Sequence, residues 1–251
     1  MQLKKSLGQH FLHDQRMIER ILDTLRSESF TRLLEVGPGA GALTASLLQL
    51  PGIDFKAVEL DDEKVTYLLA RFPSLQGKLI HQDFLGMEPP FNESFVVIGN
   101  FPYNISTQIL FRILDWREQV PVVIGMFQKE VAERAASREG SKVYGVLSVL
   151  IQAYYEVEYL FDVPPGCFNP PPKVMSGVIR LRRRDAPVKV SSPRAFTMLV
   201  KTAFNQRRKT LRNAVKSLFP PPVLQDPLFD KRAEALSVAD FAALTFKMNG
   251  Q

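Results

Sequence analysis

An α/β fold with a mostly parallel sheet and a small helical C-terminal domain is predicted by three observations. Short apolar strands alternate with helical patterns from Thr31 to Phe127, a glycine-rich turn joins the first strand to the first helix, and beyond Ser191 only helical patterns remain. Asp14–Leu25 opens the series as a polar amphipathic helix with Asp14 as its N-cap. Thr31–Val36 and Ile53–Glu59 read as strands, separated by a helix over Gly41–Leu50. Asp61–Phe72 reads as a helix opening with three acids, the sign that the helix dipole favours there. Lys78–His81, Phe95–Gly99 and Val120–Phe127 read as further strands, with a helix over Ser106–Trp116. After Gln128 come helices at Lys129–Ser137 and Val143–Ala153, then strands at Tyr155–Phe161 and Ser176–Leu181. The run between those strands, Val163–Lys173, is too rich in proline for regular structure. The domain boundary is expected near Arg184–Val190, dividing 1–186 from 187–251.

Composition narrows the function classes. The chain has 251 residues, 45% apolar and 23% charged, the balance of a soluble globular protein with its own core. Its longest uncharged apolar run, Val143–Tyr155, falls short of the ~20 residues of a membrane span. Met1–Lys5 leads into polar sequence rather than a signal-peptide core. The single cysteine, Cys167, suits a reducing cytoplasm, and with three histidines it makes no metal-ligand spacing. A cytoplasmic protein without a metal is expected.

The glycine turn is Leu34-Glu35-Val36-Gly37-Pro38-Gly39-Ala40-Gly41. Glycines between a strand and a helix allow a sharp turn and close approach of the backbone to a ligand. The spacing also fits a dinucleotide fingerprint, so NAD remains open at this point. Glu59 ends the second strand, where an acid accepts hydrogen bonds from ribose hydroxyls; a helix-capping acid is the plainer alternative. Asp83, beyond the third strand, is placed to take an adenine amine, or to serve as a turn residue. Together they describe an adenosyl-binding cleft.

The fourth strand leads into Gly99-Asn100-Phe101-Pro102-Tyr103-Asn104. An NAD enzyme has no use for this segment, whereas transfer to an adenine amine does. That amine is a poor nucleophile because its lone pair is delocalised into the ring. The Asn100 side-chain carbonyl and the Phe101 main-chain carbonyl, held by Pro102, are two acceptors that favour pyramidal geometry at the amine. Tyr103 supplies a face on which an extruded base can stack.

These residues resemble the KsgA-type ribosomal RNA small-subunit adenine dimethyltransferases. The likeness runs through Gly8-Gln9-His10-Phe11-Leu12, Glu35–Thr44, Val58–Asp61, Gln82–Leu85, Asn100–Ser106, Phe127–Ala132, Phe168–Ser176 and Phe204–Arg212. It implies a Rossmann-like, seven-stranded class I methyltransferase sheet with its last strand antiparallel, and S-adenosylmethionine as cofactor. The implied reaction converts two adjacent adenosines near the 3′ end of 16S rRNA to N6,N6-dimethyladenosine during small-subunit biogenesis. By the same resemblance His10, Leu12, Gly37, Gly39, Glu59, Leu60, Asp83, Phe84 and Asn100 contact the cofactor, and Tyr103 and Phe168 sandwich the target adenine. The sequence departs from the family pattern at His10, where Asn is frequent, and at Phe101, where Leu is commoner.

Charge suggests how RNA docks. Residues 1–125 carry 12 Lys and Arg against 15 acids, and residues 126–251 carry 20 against 11. From Lys173 to Lys216 there are 13 basic residues and one acid, Asp185, the footprint of a polyanion partner or of a solvated basic face. Lys173, Arg207, Arg208, Lys209 and Arg212 are the expected RNA contacts, the last four on a helix; the rim around Lys4 and Lys5 is the alternative. The expected partner is an immature small ribosomal subunit, bound by a monomer. Rival readings are a large-subunit methyltransferase of the macrolide-resistance type, a non-enzymatic assembly factor and an NAD-linked oxidoreductase.

Overall fold

The computed structural model describes residues 10–249, so Lys4, Lys5, Gly8 and Gln9 of the motifs above lie outside the described residues. Strand β1 (Phe11–Leu12) precedes helix α1 (Gln15–Arg26), capped by Asp14, whose carboxylate accepts the Arg16 and Met17 N–H groups at 2.9 and 3.1 Å. Its apolar stripe buries Ile18, Ile21, Leu22 and Leu25, spaced to share one face. Then follow β2 (Arg32–Val36), α2 (Thr44–Leu47), β3 (Asp54–Glu59), α3 (Asp62–Arg71), β4 (Leu79–His81), β5 (Val96–Asn100), α4 (Ser106–Asp115) and β6 (Val122–Gln128). Helix α2 is far shorter than the expected Gly41–Leu50, because the preceding residues are held in turns that Gly39 and Gly41 enter with positive φ.

Next come α5 (Lys129–Ala136), α6 (Val146–Gln152), β7 (Tyr155–Val163), β8 (Phe168–Asn169) and β9 (Ser176–Arg183). The sheet is seven-stranded, in the order β4-β3-β2-β5-β6-β9-β7. Strands β2 to β6 pair in parallel, and β9 runs antiparallel to β6, from Val122↔Arg182 to Gln128↔Ser176. The central strands β2, β5 and β6 are buried on both faces, as helix-covered parallel strands require. The proline-rich run does hold regular structure: a 3-10 turn over Pro165–Cys167, and β8, which pairs antiparallel with β1, Phe11 opposite Asn169 and Leu12 opposite Phe168.

The chain divides into two compact units. One holds the described residues to Ala132 together with Glu158–Arg183; the other holds Glu133–Val157 and the described residues from Arg184 onward. The expected domains, 1–186 and 187–251, assign residues 133–157 to the first. Helix α6 explains the difference. It buries Leu147, Val149, Leu150 and Ile151 and packs on α7 (Pro193–Asn205) and α9 (Val238–Thr245). A local strand–helix alternation does not reveal which core a helix joins. In this second unit α7 starts at a Ser192 cap and buries Phe196, Leu199, Val200 and Ala203, while α8 (Leu211–Ala214) follows a turn.

Candidate active site

Sheet order sets the place of the site. The chain builds outward from β2 through β3 to β4, then returns to add β5 and β6 on the other side of β2. Ligands of such sheets bind beyond the carboxyl ends of the strands where that reversal occurs. There, a cleft open to solvent is lined by residues that include His10, Leu12, Gly37, Gly39, Glu59 and Asn100. Gly37 and Gly39 adopt φ of 69° and 60°, a region costly for residues with a Cβ, which turns the chain across the ends of β2 and β3.

Glu59, 6% exposed, ends β3. Its Oε1 accepts the Leu60 and Asp61 N–H groups at 3.0 and 3.1 Å, whereas Oε2 has only longer approaches, 3.4 Å to Gly39 N and 3.7 Å to Lys64 Nζ. One oxygen is thus fixed by the backbone while the other can accept from a ligand hydroxyl. Leu60 beside it is 56% exposed, an apolar face at the lip of β3. Asp83 lies two residues past β4, whose His81 is in register with Glu59; it is exposed, with Oδ1 accepting the Leu85 N–H at 2.9 Å. Phe84 differs from expectation. Its ring is buried edge-on against Trp116, centroids 5.0 Å apart, so a ligand contact from this ring is not available as packed.

Asn100 ends β5, and its Nδ2 donates to the main-chain carbonyl of His10 at 3.1 Å. That bond orients the amide and leaves Oδ1 as an acceptor for a donor in the cleft. His10 is held in turn by Nδ1 donating to the Pro170 carbonyl at 2.8 Å. Phe101 is buried and donates its N–H to Met126, and Pro102 follows on the cleft wall. Tyr103 lines the cleft with its ring centroid 5.4 Å from that of His10, and its hydroxyl is hydrogen-bonded to Ser176. Phe168 is a correction: paired with Leu12 and 2% exposed, it belongs to the apolar core and offers no face to a base.

The family model described as ribosomal RNA adenine dimethylase matches residues 1–247. The chain belongs to this family. Ribosomal RNA small subunit methyltransferase A of Cytophaga hutchinsonii is 51% identical, covering 99% of this chain and 98% of the relative. The protein of the same name from Flavobacterium johnsoniae is 49% identical, covering 98% and 95%. Among solved structures, a dimethyladenosine transferase from Plasmodium falciparum has a TM-score of 0.80 at 24% identity, covering 92% of this chain and 94% of that one. The 23S rRNA methyltransferase ErmE has a TM-score of 0.74 at 24% identity, covering 95% and 99%. At these identities the two structures speak for the fold alone.

S-adenosylmethionine is the methyl donor of this dimethylase family, and the residues present fit it. The glycine turn brings main chain to the cleft and Glu59 keeps one carboxylate oxygen without a short partner there, whereas Asp83 is exposed beyond β4 and is not among the residues that line the cleft. Sequence reading gave no role to two charged residues of the cleft, Lys64, 8% exposed, and Glu35, 2% exposed. Glu35 had a legible signal, an acid inside the buried strand Leu33-Leu34-Glu35-Val36. Replacing Glu59 with Ala is expected to weaken S-adenosylmethionine binding by about 1.5–3 kcal/mol, the scale of hydrogen bonds to a charged group. Titration calorimetry on the folded variant checks this, and unchanged affinity removes Glu59 from the cofactor site.

The basic residues separate into two sets. Arg207 donates to the Lys142 carbonyl at 2.5 Å and stands 4.0 Å from Glu234, and Arg212 donates to the Leu224 carbonyl at 2.8 Å and pairs with Asp230 at 2.9 Å. Arg208, Lys209, Lys216 and Lys173 are exposed, with no side-chain partner among the described residues. The expected basic helix is mostly a turn: α7 ends at Asn205, and Lys209 N–H closes on the Gln206 carbonyl before α8 begins. A groove there is lined by Gln206, Arg208, Lys209, Thr210, Asn213 and Lys216.

Proposed function

We propose that this chain transfers methyl groups from S-adenosylmethionine to the N6 amine of adenine in 16S ribosomal RNA, forming N6,N6-dimethyladenosine in an assembling small subunit. The observation that carries the reading is the Asn100 amide, turned by its bond to His10 so that its oxygen is free in the cleft at the end of β5. The bound cofactor supplies an electrophilic methyl on sulfur. Asn100 Oδ1 and the Phe101 carbonyl accept the two N6 hydrogens, which directs the amine's lone pair at the methyl carbon. With the donor bound, methyl transfer would leave the nitrogen with one proton too many, and since neither Asn100 Oδ1 nor the Phe101 carbonyl is basic, that proton would go to water. Tyr103 offers the stacking face. A second round would act on the monomethylated amine, whose one remaining N–H can donate to only one of the two acceptors and is lost in its turn.

Small-subunit RNA is favoured over large-subunit RNA because relatives near 50% identity carry the small-subunit name. The intact glycine turn, Glu59, Asp83 and Asn100 argue against an assembly factor that has lost catalysis. Among the described residues no helix is long and apolar enough to cross a membrane, and no group of acids, histidines or cysteine is arranged to hold a metal. The cytoplasm, where small subunits assemble, is the proposed location, with the protein acting as a monomer. Mass mapping of immature small subunits incubated with protein and cofactor should find dimethylated adenosines at two neighbouring positions. Modification confined to naked large-subunit RNA overturns the substrate assignment.

Binding of phosphates falls to the exposed cations Arg208 and Lys209, since Arg207 and Arg212 are already held. Replacing Arg208 and Lys209 with Ala should weaken RNA binding and flatten its log–log salt dependence by about 0.7–0.9 for each phosphate that is no longer neutralised. Cofactor affinity should not change. A wild-type salt slope in this double variant moves the docking surface elsewhere.

A further inference from the structure

The geometry points to Ser176 as the residue that positions Tyr103 for the target base. This rests on the dimethylase reading, in which the Tyr103 ring is the stacking face. Ser176 opens β9, sits opposite Gln128 of β6, and is fully buried. Its hydroxyl is bonded to the phenol of Tyr103, although the two residues lie 73 positions apart. A hydrogen bond to the phenol oxygen holds the far end of the side chain and so fixes χ1, and because the O–H prefers the ring plane it also restrains the turn of the ring about χ2. The near end is fixed too, because Ser106 Oγ donates to the Tyr103 carbonyl at 3.1 Å. Burial raises the pKa of the phenol, so the bond joins two neutral hydroxyls and is an anchor, not a proton path.

The anchor lies at the end of the proline-rich run. Pro170 in that run accepts from His10, whose ring stands beside Tyr103, and Met175 accepts the Lys129 N–H at 2.9 Å. One short stretch of chain, ending at Ser176, thus holds both aromatic groups on this side of the cleft. Its sequence signature is the serine that closes Phe168-x-Pro170-x-Pro172-Lys173-Val174-x-Ser176. An apolar residue at that place would pack equally well but leave the phenol without its buried partner.

Three variants test the assignment: Ser176→Ala, Tyr103→Phe, which keeps the ring and removes the same bond from the other side, and the double variant. Each single change is expected to lower kcat on small subunits by about 3–10-fold, the range of one net hydrogen bond. S-adenosylmethionine affinity and RNA affinity should stay within about twofold of wild type, since neither variant removes a group that binds them directly. The double variant should be no slower than the slower single, because both changes delete one interaction. Multiplying losses in the double variant, or wild-type kcat in folded Tyr103→Phe, overturns the positioning role. If Ser176→Ala does not fold, Tyr103→Phe still decides. Wild-type protein that fails to methylate small subunits counts against the dimethylase reading itself, whereas active wild type with fully active variants counts against Ser176 alone.

Discussion

Replacing Asn100 with Ala is expected to lower kcat by about 10²–10³-fold at saturating cofactor, or roughly 2.7–4 kcal/mol of transition-state stabilisation. The side chain is small, already oriented by the 3.1 Å bond from Nδ2 to His10, and lines the cleft. Its oxygen therefore needs no reorganisation when the amine arrives. The acceptor gains most as the amine turns pyramidal and its N–H groups become more acidic, so the interaction strengthens toward the transition state. Dissociation constants for RNA and for S-adenosylmethionine should change only a few-fold. Single-turnover rates with both ligands saturating provide the measurement. A variant with near-normal kcat and a large rise in RNA dissociation constant would make Asn100 a binding group and not an orienting one. Asn100→Asp adds a second check. It keeps an acceptor but replaces the donor to His10 with a carboxylate oxygen facing a carbonyl, so it should lose orientation and recover little of the rate.

The residues whose place at the cleft was legible are those whose position follows from local order. Gly37, Glu59 and Asn100 each stand at a strand end, and alternation of strands and helices brings such ends together at the reversal of strand order. Interactions between distant parts of the chain were not legible. Phe168 looks available in a proline-rich run, yet its pairing with Leu12, across more than 150 residues, carries it into the core. The bond between Tyr103 and Ser176 is of the same kind, as is the choice of α6 to pack on α7 and α9. For Arg207 and Arg212 composition shows the charge but not its partners, because Lys142, Glu234, Leu224 and Asp230 come near only through folding. Glu35 is an intermediate case. An acid in an apolar strand was visible, but its burial and its bond from Thr44 were not.

That burial has a measurable consequence, since folding stability should fall as pH rises from about 5 to 8. Glu35 is 2% exposed, and desolvation, with the Glu59 charge adding to it, pushes its carboxyl up to about 8 despite the Thr44 hydroxyl donating at 2.7 Å. An ordinary glutamate has lost its proton in the unfolded chain above 4.5. Between these values the native state holds a proton that the unfolded state lacks, so stability is full below about 4.5 and declines until the native group ionises near 8. The slope is about 1.4 kcal/mol per pH unit, on the order of 4–5 kcal/mol across the window. Asp14, Asp162 and Asp226 act in the opposite sense and at lower pH, because hydrogen bonds and cations hold their carboxyls below the usual range. Tyr144 and Cys167 are raised and titrate above the window. Glu35→Gln keeps an acceptor for Thr44 and removes the titration, so its denaturant-derived stability should vary less steeply with pH by about that slope. A cation bound in the cleft favours the ionised carboxyl, so saturating S-adenosylmethionine should flatten the wild-type dependence toward that of the variant. Parallel pH dependences for wild type and Glu35→Gln, with or without cofactor, would mean that Glu35 is already ionised in the folded protein.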